Sequence, residues 1–261
     1  MKILIVRSIV TTQGPGTQSL TIAKSMRDKD GHEILYVTSG GSLLDEIKNA
    51  DFKINLIPEL APDKHQLVPV IKCIKKLNLI IRKFKPDIIH GHNAAATILA
   101  FIAGILAGRF IPCCTSVRGV EERKTHFYRN YIWLITPGIL LAVCQNTKDR
   151  LLKFGVRRNR IELTYNGVNI EKFKPSISAR KKIRKDLNLE DSIVIGVCGA
   201  TIYFPQFSGT GKGQHNLIRS IYLLKKKFNN LKVLIIGKGN GLSYLKKFAS
   251  NLALEDEIIF L

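Results

Sequence analysis

Residues 165–175, YNGVNIEKFKP, and residues 209–218, GTGKGQHNLI, decide how this chain is read. The first stretch carries the Asn166-Gly167 turn and Pro175, and it separates two runs in which strand-like and helix-like segments alternate. The second is a glycine- and lysine-bearing loop that opens an amphipathic helix pattern, a place suited to an anionic ligand. Together they predict two α/β domains, 1–175 and 176–261, clasping a phosphate-bearing small molecule.

Working outward from the hinge, the pattern is regular. Before it, apolar β-branched runs at 2–7, 33–38, 53–57, 87–90, 112–117, 140–144 and 161–165 read as buried strands. Helical patterns at about 18–29, 43–49, 68–84, 94–107, 128–135 and 148–154 fall between them. The helix at 94–107 reads as buried. After a basic stretch at 180–185 the alternation restarts, with strands at 192–199, 232–237 and 257–261 and helices at 214–227 and 242–252. Strands alternating with helices imply parallel sheets wound by right-handed crossovers. The second sheet has only three strands and the sequence stops inside the last, so the second domain reads as unfinished.

Composition sets outer bounds. The 261 residues include 41 Lys+Arg against 20 Asp+Glu, a formal charge of +21, which favours anionic partners without choosing among them. A nucleic-acid partner lacks support, because no aromatic residues interleave the basic ones and no recognition module is present. The five cysteines, Cys73, Cys113, Cys114, Cys144 and Cys198, form no CxxC pair and read as buried, reduced thiols of a cytoplasmic protein. The apolar run at 94–108 falls short of the ~20 residues that span a bilayer. The helix at 68–85 has two readings: a crossover helix with a lysine-rich outer face, or a peripheral contact with anionic membrane at the inner face of the cytoplasmic membrane.

Individual residues carry candidate chemistry. Lys212 stands between Gly211 and Gly213 immediately before a helix with Leu217, Ile218, Ile221 and Leu224 on one face. A lysine at a helix start adds a point charge for a diphosphate, and its plain alternative is a solvated loop lysine. A nucleoside-triphosphate P-loop is the poorer reading, since Gly213 stands where Ser or Thr is needed and position 206 is not glycine. Gly14 and Gly16 let the first loop approach a phosphate closely. Gly199, Gly237 and Gly239 follow strands, where a ligand can lie against the backbone. His90 and His92, two apart at a strand's carboxyl end, lack a third ligand in sequence reach, so a metal site is not expected. His92 is either a hydrogen-bonding group in a ligand cleft or a structural histidine.

The ordered set of segments resembles a retaining glycosyltransferase of the GT-B fold, in the large group called family four. The residues that carry the resemblance are the glycine loop at 14–16, GHE at 31–33, PDIIHGHN at 86–93, NTKDRLLKFGV at 146–156 and YNGVNIEKFKP at 165–175. They continue with KGQHNLIRSI at 212–221 and VLIIGKGNG at 233–241, so the likeness spreads over the whole chain. It implies two Rossmann-like domains, the second incomplete. A UDP- or GDP-sugar donor would be held mainly by the C-terminal domain and a glycan or lipid-linked acceptor by the N-terminal one, without a metal ion or other cofactor. By the same resemblance Lys212 matches the lysine of the family's KG motif. Arg118, in TSVRG, stands where relatives carry a cleft histidine, and Arg118 with His92 takes the catalytic positions.

Three departures stand out. Pro15 interrupts the usual adjacent glycine pair. The arginine that relatives place after the strand preceding the KG loop is absent, because the strand ends Gly199-Ala200-Thr201 and a longer loop, 202–210, follows. A spaced pair of glutamates and a final helix crossing back to the first domain are also absent, which implies a fragment or a truncated product. The alternative function is therefore a catalytically inactive module that binds a sugar nucleotide or a partner.

Overall fold

The computed structural model describes residues 1–12, 14–61, 67–120, 128–205 and 209–261. They divide into two compact units, Met1–Val168 and Asn169–Leu261.

The first unit runs β1 (Lys2–Arg7), α1 (Gly14–Asp28), β2 (Glu33–Thr38), α2 (Leu44–Lys48), β3 (Lys53–Leu56), α3 (Leu67–Phe84), β4 (Ile88–Gly91) and α4 (Ala94–Leu106). It continues with β5 (Cys113–Val117), α5 (Tyr128–Ile135), β6 (Ile139–Ala142), α6 (Gln145–Lys153) and β7 (Ile161–Leu163). All pairings are parallel, in the order β3-β2-β1-β4-β5-β6-β7. The run KILIVR explains how one strand serves two layers, since alternate side chains leave opposite faces of the sheet. Leu4 and Val6 join Leu77, Ile81, Ala100 and Ala103 beneath α3 and α4. Ile3 and Ile5 join Leu20, Ala23 and Ile47 beneath α1 and α2. Leu77 is fully buried in the first of these layers. Leu77→Ala is expected to cost about 2–5 kcal/mol, read as a lowered urea midpoint.

The second unit runs α7 (Ile177–Asp186), β8 (Ile193–Cys198), the hairpin β9 (Tyr203–Phe204) and β10 (Gly209–Thr210), α8 (Gln214–Leu224), β11 (Leu231–Ile236), α9 (Leu242–Ser250) and β12 (Ile258–Phe260). Its parallel sheet has the order β12-β11-β8. Ile218, Ile221, Val233, Ile235 and Leu245 are buried at its centre.

Four expectations need correction. The basic stretch at 180–185 lies within helix α7, capped where the Ser176 hydroxyl accepts from the Ala179 N–H at 3.2 Å. None of its residues is buried, so no apolar stripe announced it. Gly14 and Gly16 belong to the first turns of α1 rather than to a loop before it. Helix α4 buries only one side, for Ile102, Ile105 and Leu106 are exposed. Among the cysteines Cys73 and Cys113 are buried, Cys114 and Cys144 half-buried, and Cys198 exposed. No described helix is long and apolar enough to cross a membrane.

Candidate functional site

In the first unit, polar side chains gather at the carboxyl ends of β1, β4, β5 and β7. The strand order reverses between β1 and β4, and open parallel sheets hold ligands outside the carboxyl ends at such a switch point. There Asn93 accepts from the Ser8 backbone N–H at 3.0 Å and donates to its hydroxyl at 3.0 Å. His92 donates its backbone N–H to the Val6 carbonyl at 3.0 Å. These bonds fix the chain that leaves β4.

His90 and His92 are both buried, with rings stacked at 4.5 Å. The His90 Nε2 lies 3.0 Å from the Ser116 hydroxyl. Neither ring nitrogen of His92 meets a hydrogen-bond partner among the described residues. Burial first, then His90 and the guanidinium groups of Arg118 and Arg7, hold His92 well below the ordinary histidine range, so its imidazole is neutral at pH 7. Burial, and then Arg118, push His90 down to about 4.

Because the folded chain favours neutral His90, the unfolded chain binds more protons between about pH 6.5 and about pH 4. This contribution to stability is full above that window and is lost as pH falls through it. Unfolding free energy is therefore expected to drop by about 3 kcal/mol across the window on account of His90. Urea titrations at pH 7 and pH 5 check this, with a flatter dependence expected in His90→Gln.

Arg118 follows β5 and is half-buried. Its Nη1 lies 3.5 Å from the Asn166 side-chain oxygen Oδ1, while Nε and Nη2 are buried without a partner among the described residues. Burial, and secondarily Arg7, lower it to about 10, so the guanidinium stays charged at neutral pH. Asn166 also accepts from Gln18 of α1. Arg118, Asn166, Gln18, His90 and Ser116 line a cavity of about 440 Å3 together with Ile22 and Met26 of α1 and Leu141 of β6. Buried N–H donors without acceptors are costly, and an anion supplies what they lack.

Gly16 is a packing requirement: a Cβ there would meet the Thr11 carbonyl oxygen at 1.7 Å. At Gly14 the corresponding space is open. The start of α1 carries no acidic side chain, leaving the helix's positive end uncompensated.

In the second unit, Lys212 is exposed and precedes Gly213, which holds the left-handed conformation at the start of α8 with φ of 74°. The lysine stem lies over the end of β8, so that a Cβ on Gly199 would touch its Cγ at 3.3 Å. Buried Gln214 joins the same corner, accepting from the Thr210 hydroxyl at 2.6 Å and donating to the Gly199 and Ala200 carbonyls at 3.4 and 3.3 Å. The Thr210 N–H donates to His215 Nδ1 at 3.0 Å. The Lys212 turn is thereby fastened to the strand end. Gly211 packs against the Phe204 ring, where a Cβ would come within 2.6 Å.

Gly237 and Gly239 close the same edge. A Cβ on Gly237 would meet the Gly199 carbonyl oxygen at 2.1 Å, and one on Gly239 the Thr201 oxygen at 2.5 Å. Where relatives are expected to place an arginine, Thr201 is fully buried, and its carbonyl accepts from the Gly241 N–H at 2.7 Å. The loop at 202–210 contains the β9–β10 hairpin, and its residues 206–208 lie outside the described set.

The structure therefore gathers His92 and Arg118 with His90, Ser116, Gln18 and Asn166 in one unit, and Lys212, Gly211, Gly213, Gly199, Gly237 and Gly239 in the other. Sequence reasoning passed over Gln18, Ser116, Asn166, Thr210 and Gln214. Only Asn166 carried a local signal, its Asn-Gly turn at the end of β7.

These features define a class: an α/β protein of two units whose polar and glycine-rich turns sit at the carboxyl ends of parallel strands. The chain belongs to Glycosyltransferase Family 4, whose model matches residues 12–172. The model described as Glycosyl transferases group 1 matches residues 198–261. Over 224 residues the chain is 26% identical to the capsular polysaccharide biosynthesis glycosyltransferase CapM of Staphylococcus aureus, covering 80% of this chain and 55% of that protein. It is 28% identical over 144 residues to the UDP-Gal:alpha-D-GlcNAc-diphosphoundecaprenol alpha-1,3-galactosyltransferase of Escherichia coli, covering 51% and 37% of the two. The chain spans about half the length of the curated relatives it matches.

Among solved structures, Anabaena Alr3699/HepE in complex with UDP and glucose shares the fold with a TM-score of 0.76 at 20% identity, covering 100% of this chain and 69% of that one. A glycosyltransferase from Rickettsia africae gives a TM-score of 0.77 at 20% identity, with 100% and 67% covered. The GT-B fold expected from the motif order stands.

Proposed function

We propose that this chain carries the substrate-handling elements of a glycosyltransferase that moves a sugar from a UDP- or GDP-sugar to a cell-envelope glycan or lipid-linked acceptor. The observation that carries this reading is the exposed Lys212 on the Gly213 turn of α8, fastened over the glycine end of β8. Breaking the bond between the anomeric carbon and the phosphate oxygen leaves its electron pair, and negative charge, on the diphosphate. A preformed ammonium group and a helix N-terminus stabilise that charge as it develops. The complexes of Alr3699/HepE with UDP, with UDP and glucose, and with UDP-glucose support a nucleotide-sugar donor. The name of the Escherichia coli relative supports a lipid-diphosphate acceptor.

In this proposal Lys212, Gly211 and Gly213 meet the donor diphosphate, and the glycines Gly14 and Gly16 of the first unit let the start of α1 approach a phosphate group. Gly199, Gly237 and Gly239 shape the nucleotide side. Neutral His92 exchanges a hydrogen bond with a substrate hydroxyl, and Arg118 opposes anionic charge. The reaction retains anomeric configuration and needs no metal, since the charge of Lys212 and the helix ends serves the leaving group. The acceptor lies at the inner face of the cytoplasmic membrane.

The test is incubation with radiolabelled UDP- and GDP-sugars and a polyprenyl-diphosphate-linked acceptor, with and without EDTA. Sugar transfer unaffected by EDTA is the expected result. Saturable nucleotide binding without transfer or hydrolysis would favour the inactive binding module instead.

A further inference from the structure

Helices α3 and α4 turn an apolar surface outward as well as inward. Their inner sides bury Cys73, Leu77, Ile81, Ala96, Ala100 and Ala103 against the sheet. On the outer side of α3, Val68, Ile71 and Leu79 are exposed; on α4, so are Ile102, Ile105 and Leu106. Phe110, at the entrance to β5, is 83% exposed and touches the Phe101 ring edge-on at 5.6 Å. The two helices form one surface, because Leu79 and Leu106 meet in a depression of about 360 Å3 shared with Ile74, Lys75 and Asn78. Leu79 also borders a second cavity, of about 570 Å3, whose walls include Lys2, Lys53 and Lys83.

The charge around this surface is predominantly positive, although Glu33 also lines the second cavity and lies 3.6 Å from Lys2. Between residues 67 and 110 the chain has Lys72, Lys75, Lys76, Lys83 and Lys85 with Arg82 and Arg109, against Asp87 alone. Asp87 is engaged, accepting from the Lys2 backbone N–H at 2.7 Å, and Lys76 pairs with Glu59 at 2.8 Å. A second copy of the chain would bring like charges together on this face. An anionic bilayer meets both of its properties. Side chains such as Leu79, Leu106 and Phe110 enter the acyl boundary, while lysines and arginines reach phosphates on long stems.

We propose that the outer surface of α3 and α4, with Phe110, docks this protein on anionic phospholipid membrane. The proposal deepens the transferase reading by naming the surface that meets the lipid phase, and it is measured without nucleotide, so the two fail separately. Leu79, Lys83, Leu106 and Phe110 precede β4 and β5, and Lys2 and Lys53 begin β1 and β3. The surface therefore reaches the amino ends of the strands, away from the candidate site at their carboxyl ends.

The experiment is co-sedimentation of the full chain with vesicles of phosphatidylglycerol and phosphatidylcholine, or of phosphatidylcholine alone. Binding is expected with the acidic vesicles only. The triple variant Leu79→Ser, Leu106→Ser, Phe110→Ser changes exposed side chains, so it is expected to keep its circular dichroism while losing at least about tenfold in vesicle affinity. A charge control, Lys181→Gln, Lys182→Gln, Lys185→Gln on exposed α7, is expected to bind as the unmodified chain does.

Four results would overturn the proposal. They are no binding to acidic vesicles, equal binding by the apolar triple variant, equal loss in the α7 control, or a dimer in light scattering that the apolar variant abolishes.

Discussion

Lys212→Ala is expected to weaken UDP binding by about tenfold to a hundredfold while leaving thermal stability unchanged. A hydrogen bond to a charged group contributes about 1.5–3 kcal/mol, which is the size of that loss in affinity. Stability is unaffected because the ammonium group is exposed and only the lysine stem touches the strand end. Lys212→Arg keeps the charge but replaces a point donor with a planar fork. It is therefore expected to recover part of the affinity. Isothermal titration of UDP against the three proteins checks both statements. Equal affinity in Lys212→Ala would place the diphosphate elsewhere.

Gly237→Ala is expected to cost the second unit about 2–5 kcal/mol, enough to unfold it or leave it marginal. Two independent penalties act at that position. Its φ is 147°, a backbone conformation that L side chains rarely adopt, and a Cβ would press to 2.1 Å from the Gly199 carbonyl oxygen. The obstacle is backbone from a neighbouring strand, so no side-chain rotation relieves it. Denaturant unfolding followed at a probe in residues 193–260 should show the loss. Gly196→Ala is the matched control in the same sheet, because a Cβ there meets nothing within 4 Å.

Gly237 also shows what the sequence made legible. Glycine after a strand suggested a turn facing a ligand, and the turn is present. The reason for glycine, however, is a contact with Gly199, almost forty positions earlier in the chain, which no local pattern reveals. Gly16 teaches the same lesson through its contact with Thr11. The strands of the first sheet were readable because burial on both faces of a parallel sheet demands continuous apolar runs such as KILIVR, and LKVLII reads the same way although only alternate positions of β11 are buried. Helix α7 was not, since it stands on a cap and local hydrogen bonds with no buried side chain.

The candidate site divides in the same way. Lys212 announced itself through flanking glycines and the helix behind it. Asn166, by contrast, acquires its place only when β7 pairs with β6 and sets it beside Arg118 and Gln18. Likewise Gln214 reads as an ordinary first-turn residue until its amide is seen bridging Thr210 and the end of β8. Hydrogen bonds between segments distant in sequence decide these positions, and pattern periodicity carries no record of them.

The central claim is that the Lys212 turn receives the diphosphate of a nucleotide. Backbone amide shifts of the isotopically labelled chain, followed during titration with UDP and with uridine, test it most directly. The account predicts saturable shifts at Gly199, Lys212, Gly213 and Gly237 with UDP and little change there with uridine. Shifts confined to the basic helix α7, or identical responses to the two ligands, would contradict it.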